Sequence, residues 1–272
     1  MTDLFDVKDK AIVITGGAGI LCGTLAKALA QRGARLCIVD YDVFRANELC
    51  KEIEADGGFA IPVQASVLEK KDIEEAFVCA IESLGRIDAL INGAGGNKKE
   101  ATTSDELSFF DMPADAIRAV FDLNCLGTIL PSQVFGRQMA KQGHGVILNV
   151  SSMNAFRPLT KIAAYSAAKA AVSNFTQWLA VHMCQNYSKN IRVNAIAPGF
   201  FLTQQNHFLL IDEKTGNPTP RGKTIIDHTP MGRYGEAEEL VGTTVWLLSD
   251  AARFVTGIVV PVDGGFSAFS GV

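Results

Sequence analysis

Seven short runs rich in β-branched and aliphatic residues punctuate the chain: "AIVIT" (11–15), "RLCIVD" (35–40), "FAIPV" (59–63), "IDALIN" (87–92), "GVILNV" (145–150), "IRVNAI" (191–196) and "GIVVPV" (257–262). Amphipathic stretches at 21–32, 42–56, 69–84, 113–141, 164–187 and 236–249 separate them. Strands that are apolar on both faces need cover on both sides, and intervening helices supply it in a parallel, doubly wound sheet. This pattern predicts a single α/β domain over 1–272, with about seven parallel strands and helices on both faces. No polar low-complexity linker divides the chain. Its 272 residues, 48% of them hydrophobic, are enough for one large core.

Charge and cysteine usage exclude several functional classes. The formal net charge is −4, and basic residues are interleaved with acidic ones, which is not the footprint of a nucleic-acid binder. Six cysteines at 22, 37, 50, 79, 125 and 184 show no close pairing and no Cys-x-x-Cys, the pattern of reduced thiols rather than of disulfides or a zinc site. No metal is expected. The start "MTDLFDVKDKAIVITGG" lacks a signal-peptide apolar core, and no apolar run approaches the roughly 20 residues that span a bilayer. A cytoplasmic protein without a membrane partner is the expectation.

Ligands of doubly wound sheets bind beyond the carboxyl ends of the strands, so the residues following each run hold the candidate chemistry. After the first run comes "TGGAGILCG" (15–23). Its glycines let the backbone turn tightly and approach a pyrophosphate, which the next helix N-terminus stabilises through free N–H groups and its dipole. Gly16, Ala18, Gly19 and Leu21 are the candidate contacts. The second run ends in Asp40, about 20 residues beyond the glycines, where a carboxylate can accept both ribose hydroxyls of NAD and repel the 2′-phosphate of NADP. "ASVL" (65–68) adds Ser66 and Val67, a hydroxyl and an apolar face for an adenine ring. "INGAGGN" (91–97) adds Asn92, Ala94 and Gly95, where glycines pass close under a nucleotide and the amide can tie strands together. Each of these is also an ordinary strand-to-loop turn; their shared sheet edge is what points to one ligand.

The fifth run ends in "NVSSM", which places Ser152 thirteen residues before Tyr165. In "AAYSAAKAAV" (163–172), Tyr165 and Lys169 stand four apart on one helical face. Asn124 interrupts the amphipathic stretch 113–141 where an apolar residue would suit a plain core face, and a buried amide must find partners. These four residues can converge at one edge.

"TGGAG", "INGAGG", "DLN" (122–124), "VSS" (150–152), "YSAAK" (165–169), "APGFFLT" (197–203) and "VDGG" (262–265) together resemble the short-chain dehydrogenase/reductase family over essentially the whole chain. The resemblance implies a catalytic set of Asn124, Ser152, Tyr165 and Lys169, with Lys169 also on the nicotinamide ribose and Asn124 holding a water that links Lys169 to solvent. It further implies that Pro198, Gly199 and Thr203 embrace the nicotinamide and pyrophosphate. One departure stands out: where the family pattern T-G-x-x-x-G-x-G has its later glycines, this chain has Ile20 and Cys22, with glycines at 19 and 23. In the implied chemistry a nearby ammonium lowers the phenol's pKa from its usual value near 10, making Tyr165 a proton donor to a ketone oxygen that Ser152 polarises.

Residues 200–230 show no sustained helix or strand pattern and follow the sixth run, so a substrate-covering loop is expected there. "INGAGGNKKEATT" (91–103), "TPRGKTIIDHTPMGRYGEAEEL" (219–240) and the tail "GGFSAFSGV" (264–272) are most similar to the D-mannonate oxidoreductase, or fructuronate reductase, branch of that family. The branch implies a sugar acid as the small-molecule substrate, NAD as cofactor, and a homotetramer. Asn97, Asn154 and Arg157, with Lys98 and Lys99 nearby, are the candidate substrate contacts. Two other readings remain open at this level: a reductase of another carbonyl, such as a 3-oxoacyl thioester or neutral keto sugar, and a non-catalytic nucleotide sensor.

Overall fold

The alternation of runs folds into one sheet. The structure, a computed structural model, describes residues 3–202, 207–212 and 215–271. In chain order its main elements are β1 (Ala11–Thr15), α1 (Ile20–Ala30), β2 (Arg35–Asp40), α2 (Val43–Ala55), β3 (Phe59–Gln64), α3 (Lys70–Leu84) and β4 (Ala89–Asn92). There follow α4 (Ala114–Phe121), α5 (Gly127–Gln142), β5 (Gly145–Val150), α6 (Ala163–Asn186), β6 (Ile191–Pro198), α7 (His207–Leu210), α8 (Pro220–Asp227), α9 (Glu239–Leu248) and β7 (Val259–Val262).

All pairings are parallel, in the order β3-β2-β1-β4-β5-β6-β7. After β3 the chain crosses back to the far side of β1, which places the topological switch point between β1 and β4. Strand period two divides the core between the faces. Ile12, Ile14, Leu36 and Ile38 meet α1, α2 and α9 on one side. Val13, Cys37, Leu90 and Ile147 meet α3, α5 and α6 on the other. Among the described residues no helix is long and apolar enough to cross a membrane.

Two expectations change. The stretch 113–141 is helical but not uniform: a π turn, Asp122–Leu126, joins α4 to α5. The extra residue in such a turn rotates the side chains that follow, and here it delivers Asn124 to the interior, fully buried. Residues 200–230 are not structureless, because α7 and α8 lie within them and isolated bridges pair Phe201 with Gly235 and Ile211 with Pro218. Thr219 caps α8 by accepting from the Gly222 amide, with Pro220 at the first helical position, a start signal present in the sequence.

Candidate active site

The carboxyl ends of β1 to β4 open onto a cleft of about 800 Å³. Gly16, Ala18 and Gly19 form one wall, Asp40, Ser66 and Val67 an end, and Ala94 and Gly95 the opposite wall. Gly16 adopts φ +60°, and a Cβ there would lie 2.7 Å from the Ala94 backbone; only glycine fits. The Gly19 amide closes the turn on the Gly16 carbonyl, 3.1 Å away, and α1 begins at the next residue. Asp40 Oδ2 accepts from the Ala18 amide at 3.0 Å and Oδ1 from the Asp42 amide at 2.9 Å, so the carboxylate also braces the turn. A cradle of backbone N–H groups at a helix N-terminus, ending in a carboxylate, suits an extended dinucleotide.

The non-glycine residues of the turn are accommodated locally. Cys22 is buried beneath Gly93, where a Cβ would come within 2.1 Å of the Cys22 sulfur. Gly93 thus makes room for the thiol. Burial pushes that thiol's pKa up to about 12, which leaves it a packing group.

Several candidate contacts are not among the described residues that line the cleft. Leu21 packs on the core beneath the turn rather than on the cleft. Asn92 is buried and donates to Ser132 Oγ at 2.9 Å and Asn149 Oδ1 at 2.8 Å, a tie between β4, β5 and α5. Pro198 ends β6 in the buried interior, and Gly199 lies against Asp263, whose Cα a Cβ there would approach to 2.6 Å. Thr203 lies outside the described residues. Conversely Tyr41, Asp42, Arg45 and Lys98 line the cleft. Arg45 is largely exposed at the Asp40 end of the cleft, with Nε 3.5 Å from Asp42 Oδ2.

The four candidate catalytic residues meet beside the Gly95 wall. Lys169, 3% exposed, donates from Nζ to the Val150 carbonyl at 2.8 Å. Asn124 Nδ2 donates to the Gly96 and Val120 carbonyls at 2.7 and 2.8 Å, and its Oδ1 accepts from the Gly96 amide at 3.1 Å. A Cβ on Gly95 would approach Asn124 Oδ1 to 2.7 Å and Lys169 Nζ to 3.1 Å, so this glycine lets the cleft wall touch both. Tyr165 lies on the first turn of the same helix, and Ser152 is the polar side chain that acts on its phenol.

Burial is the larger influence on the phenol and raises its pKa; the Ser152 bond opposes it. The expectation that Lys169 pulls the phenol down is not met here. Nζ is turned to Val150 and lies 5.7 Å from the Tyr165 ring centre. Lys169 itself is held down to about 8 by burial. A protonated phenol beside a serine hydroxyl is an acid poised to protonate an oxygen.

The candidate substrate residues divide. Asn97 is exposed and bonded to Thr102 at 2.8 Å. Arg157 donates from Nε to the Ser267 carbonyl at 3.0 Å, tying the segment after β5 to the C-terminal tail. Asn154 is buried and turned toward Ser152. None of these bonds was legible in the sequence.

Over residues 19–267 the chain matches the family model described as enoyl-(acyl carrier protein) reductase. An uncharacterized oxidoreductase of Haemophilus influenzae is 49% identical over 280 residues, covering 98% of this chain and 96% of the relative. A crystal structure of a candidate D-mannonate oxidoreductase from Haemophilus, with bound NAD, superposes with a TM-score of 0.92 at 48% identity over 98% of each chain. A gluconate 5-dehydrogenase from Burkholderia cenocepacia, in complex with NADP and tartrate, superposes with a TM-score of 0.86 at 29% identity over 98% of each chain.

Proposed function

Because the chain belongs to the short-chain dehydrogenase/reductase family, whose members interconvert alcohols and ketones, we propose that it acts on a sugar acid of the D-mannonate/D-fructuronate type with NAD(H). The observation that carries the chemistry is the meeting of Ser152, Tyr165 and Lys169 beside the glycine-cradled cleft. Support for the substrate is the structural neighbour described as a candidate D-mannonate oxidoreductase with bound NAD, at 48% identity over nearly all of both chains.

The residues that would hold the dinucleotide are Gly16, Ala18, Gly19, Asp40, Ser66, Val67, Ala94 and Gly95, all on the cleft. When bound, the nicotinamide supplies the hydride. Ser152 donates its hydroxyl to the substrate oxygen, and Tyr165 supplies the proton as charge develops there. Lys169 provides positive charge beneath that point, and Asn124 pins Gly96 so that the Gly95 wall stays in place. Segment 200–230, through α7 and α8, serves as the substrate cover.

The test is a panel of keto sugar acids, with acetoacetyl-CoA and neutral keto sugars as competitors, assayed by NADH oxidation. D-fructuronate should give the highest kcat/KM. Tyr165→Phe should lose roughly 10²-fold or more in turnover while binding NADH nearly as well. A preference for a thioester would overturn the substrate reading, and near-normal turnover of the variant would overturn the role of Tyr165.

A further inference from the structure

Asn154 sits two residues after Ser152 and is 6% exposed. Both ends of its side-chain amide are engaged. Oδ1 accepts from the Leu159 amide at 3.1 Å and from Ser166 Oγ at 3.3 Å. A backbone N–H can only donate, so the atom facing Leu159 must be the amide oxygen and Nδ2 must face the other way. There Nδ2 donates to Ser152 Oγ at 3.2 Å, and the Asn154 backbone N–H donates to the same oxygen at 3.2 Å.

A serine hydroxyl has two lone pairs and one proton. With both lone pairs facing Asn154 donors, the proton must point away from them and is left to be donated elsewhere. We infer that Asn154 is a positioning residue, which holds Ser152 as a hydrogen-bond donor toward the reacting oxygen by occupying its acceptor sites. The inference rests on the proposed roles of Ser152 and Tyr165. It also moves Asn154 from the substrate contacts to the group behind them. The loop after β5, closed by Leu159 and Ser166, is then what sets the polarity of the site.

Asn154→Asp tests this without changing shape. A carboxylate would accept the Ser152 proton and take it from the substrate, whereas a protonated carboxyl would donate to Ser152 as the amide does. With the best substrate of the wild type, kcat should fall on the order of 10²-fold at pH 8, with KM and NADH affinity much less affected. The ratio of variant to wild-type kcat should recover as pH falls toward about 5, the range in which a buried carboxyl takes up its proton. Asn154→Ala, which leaves Ser152 free to rotate, should lose about tenfold, and in a Ser152→Ala background neither change should cost more.

A pH-independent ratio near one for Asn154→Asp, or an undiminished loss in the Ser152→Ala background, would overturn the inference. Misfolding is detected separately by NADH binding, and if Asn154→Asp fails to fold, the Asn154→Ala cycle decides alone. If Ser152→Ala itself keeps full turnover, the proposed reading of the site fails, and the inference with it. If Ser152→Ala is inactive while both Asn154 variants behave as wild type, only the inference fails.

Discussion

Asp40 and Lys169 show how a single side chain serves two purposes. Asp40 stands where a ribose would lie, yet its two oxygens already accept from the Ala18 and Asp42 amides. Asp40→Ala should therefore weaken NADH binding roughly tenfold, since bonds to charged groups contribute about 1.5–3 kcal/mol. It should also narrow the gap between NADH and NADPH, because Arg45 lines the same end of the cleft and would no longer share it with that carboxylate. The measurement is kcat/KM for both cofactors with one substrate, and an unchanged ratio would remove Asp40 as the selector. Lys169 carries an opposite cost. Burial depresses its pKa from 10.5 to about 8, so between those values the unfolded chain binds more protons and stability rises with pH. Below about pH 8 the penalty is complete, on the order of a few kcal/mol. Lys169→Met should accordingly be inactive yet more stable than wild type at pH 7, with the advantage shrinking toward about pH 10. Denaturation midpoints of both proteins across that range check the sign, and a constant difference would contradict it.

Elements are joined by buried polar ties as well as by apolar packing. Asn149 on β5 accepts from Asn92 on β4 and donates to Thr176 on α6 at 2.8 Å in each case. These bonds lock the two strands under the site to the helix that carries Tyr165 and Lys169. Asn149→Leu would take the donor away from the Thr176 hydroxyl oxygen, whose own proton stays on the Val172 carbonyl, and would leave one Asn92 proton unpaired; it should destabilise the fold by about 2 kcal/mol or more. The denaturant midpoint should fall while NADH affinity stays close to wild type; unaltered stability would mean the tie is redundant. The π turn at Asp122–Leu126 is the other element whose irregularity serves the site. Periodicity announced a helix through 113–141, and the misplaced amide at 124 was visible, but the inserted residue that resolves the conflict was not. Side-chain period distinguishes helix from strand and is nearly blind to one extra residue in a turn.

At the scale of the molecule, the switch point between β1 and β4 decides where the cleft lies, and the helices that flank it leave apolar surface unused. Trp178 and Val181 on α6 are each 56% exposed, and Phe254 near the start of β7 is fully so. We expect these faces to be covered in a homotetramer; light scattering at micromolar concentration should give about four times 29.1 kDa, and a monomer mass would refute it. The strand runs, their parallel pairing, the helices between them and the positions of Gly16, Asp40, Ser152, Tyr165 and Lys169 were all determined by the sequence, because apolar period and turn chemistry are local properties that survive being written in one dimension. Only the tertiary structure decided that Asn154 faces Ser152 and that Lys169 leans to Val150 rather than to the phenol. Those outcomes depend on which donors and acceptors meet across loops and neighbouring elements, and hydrogen-bond direction is settled by the partner across the gap, never by the residue alone.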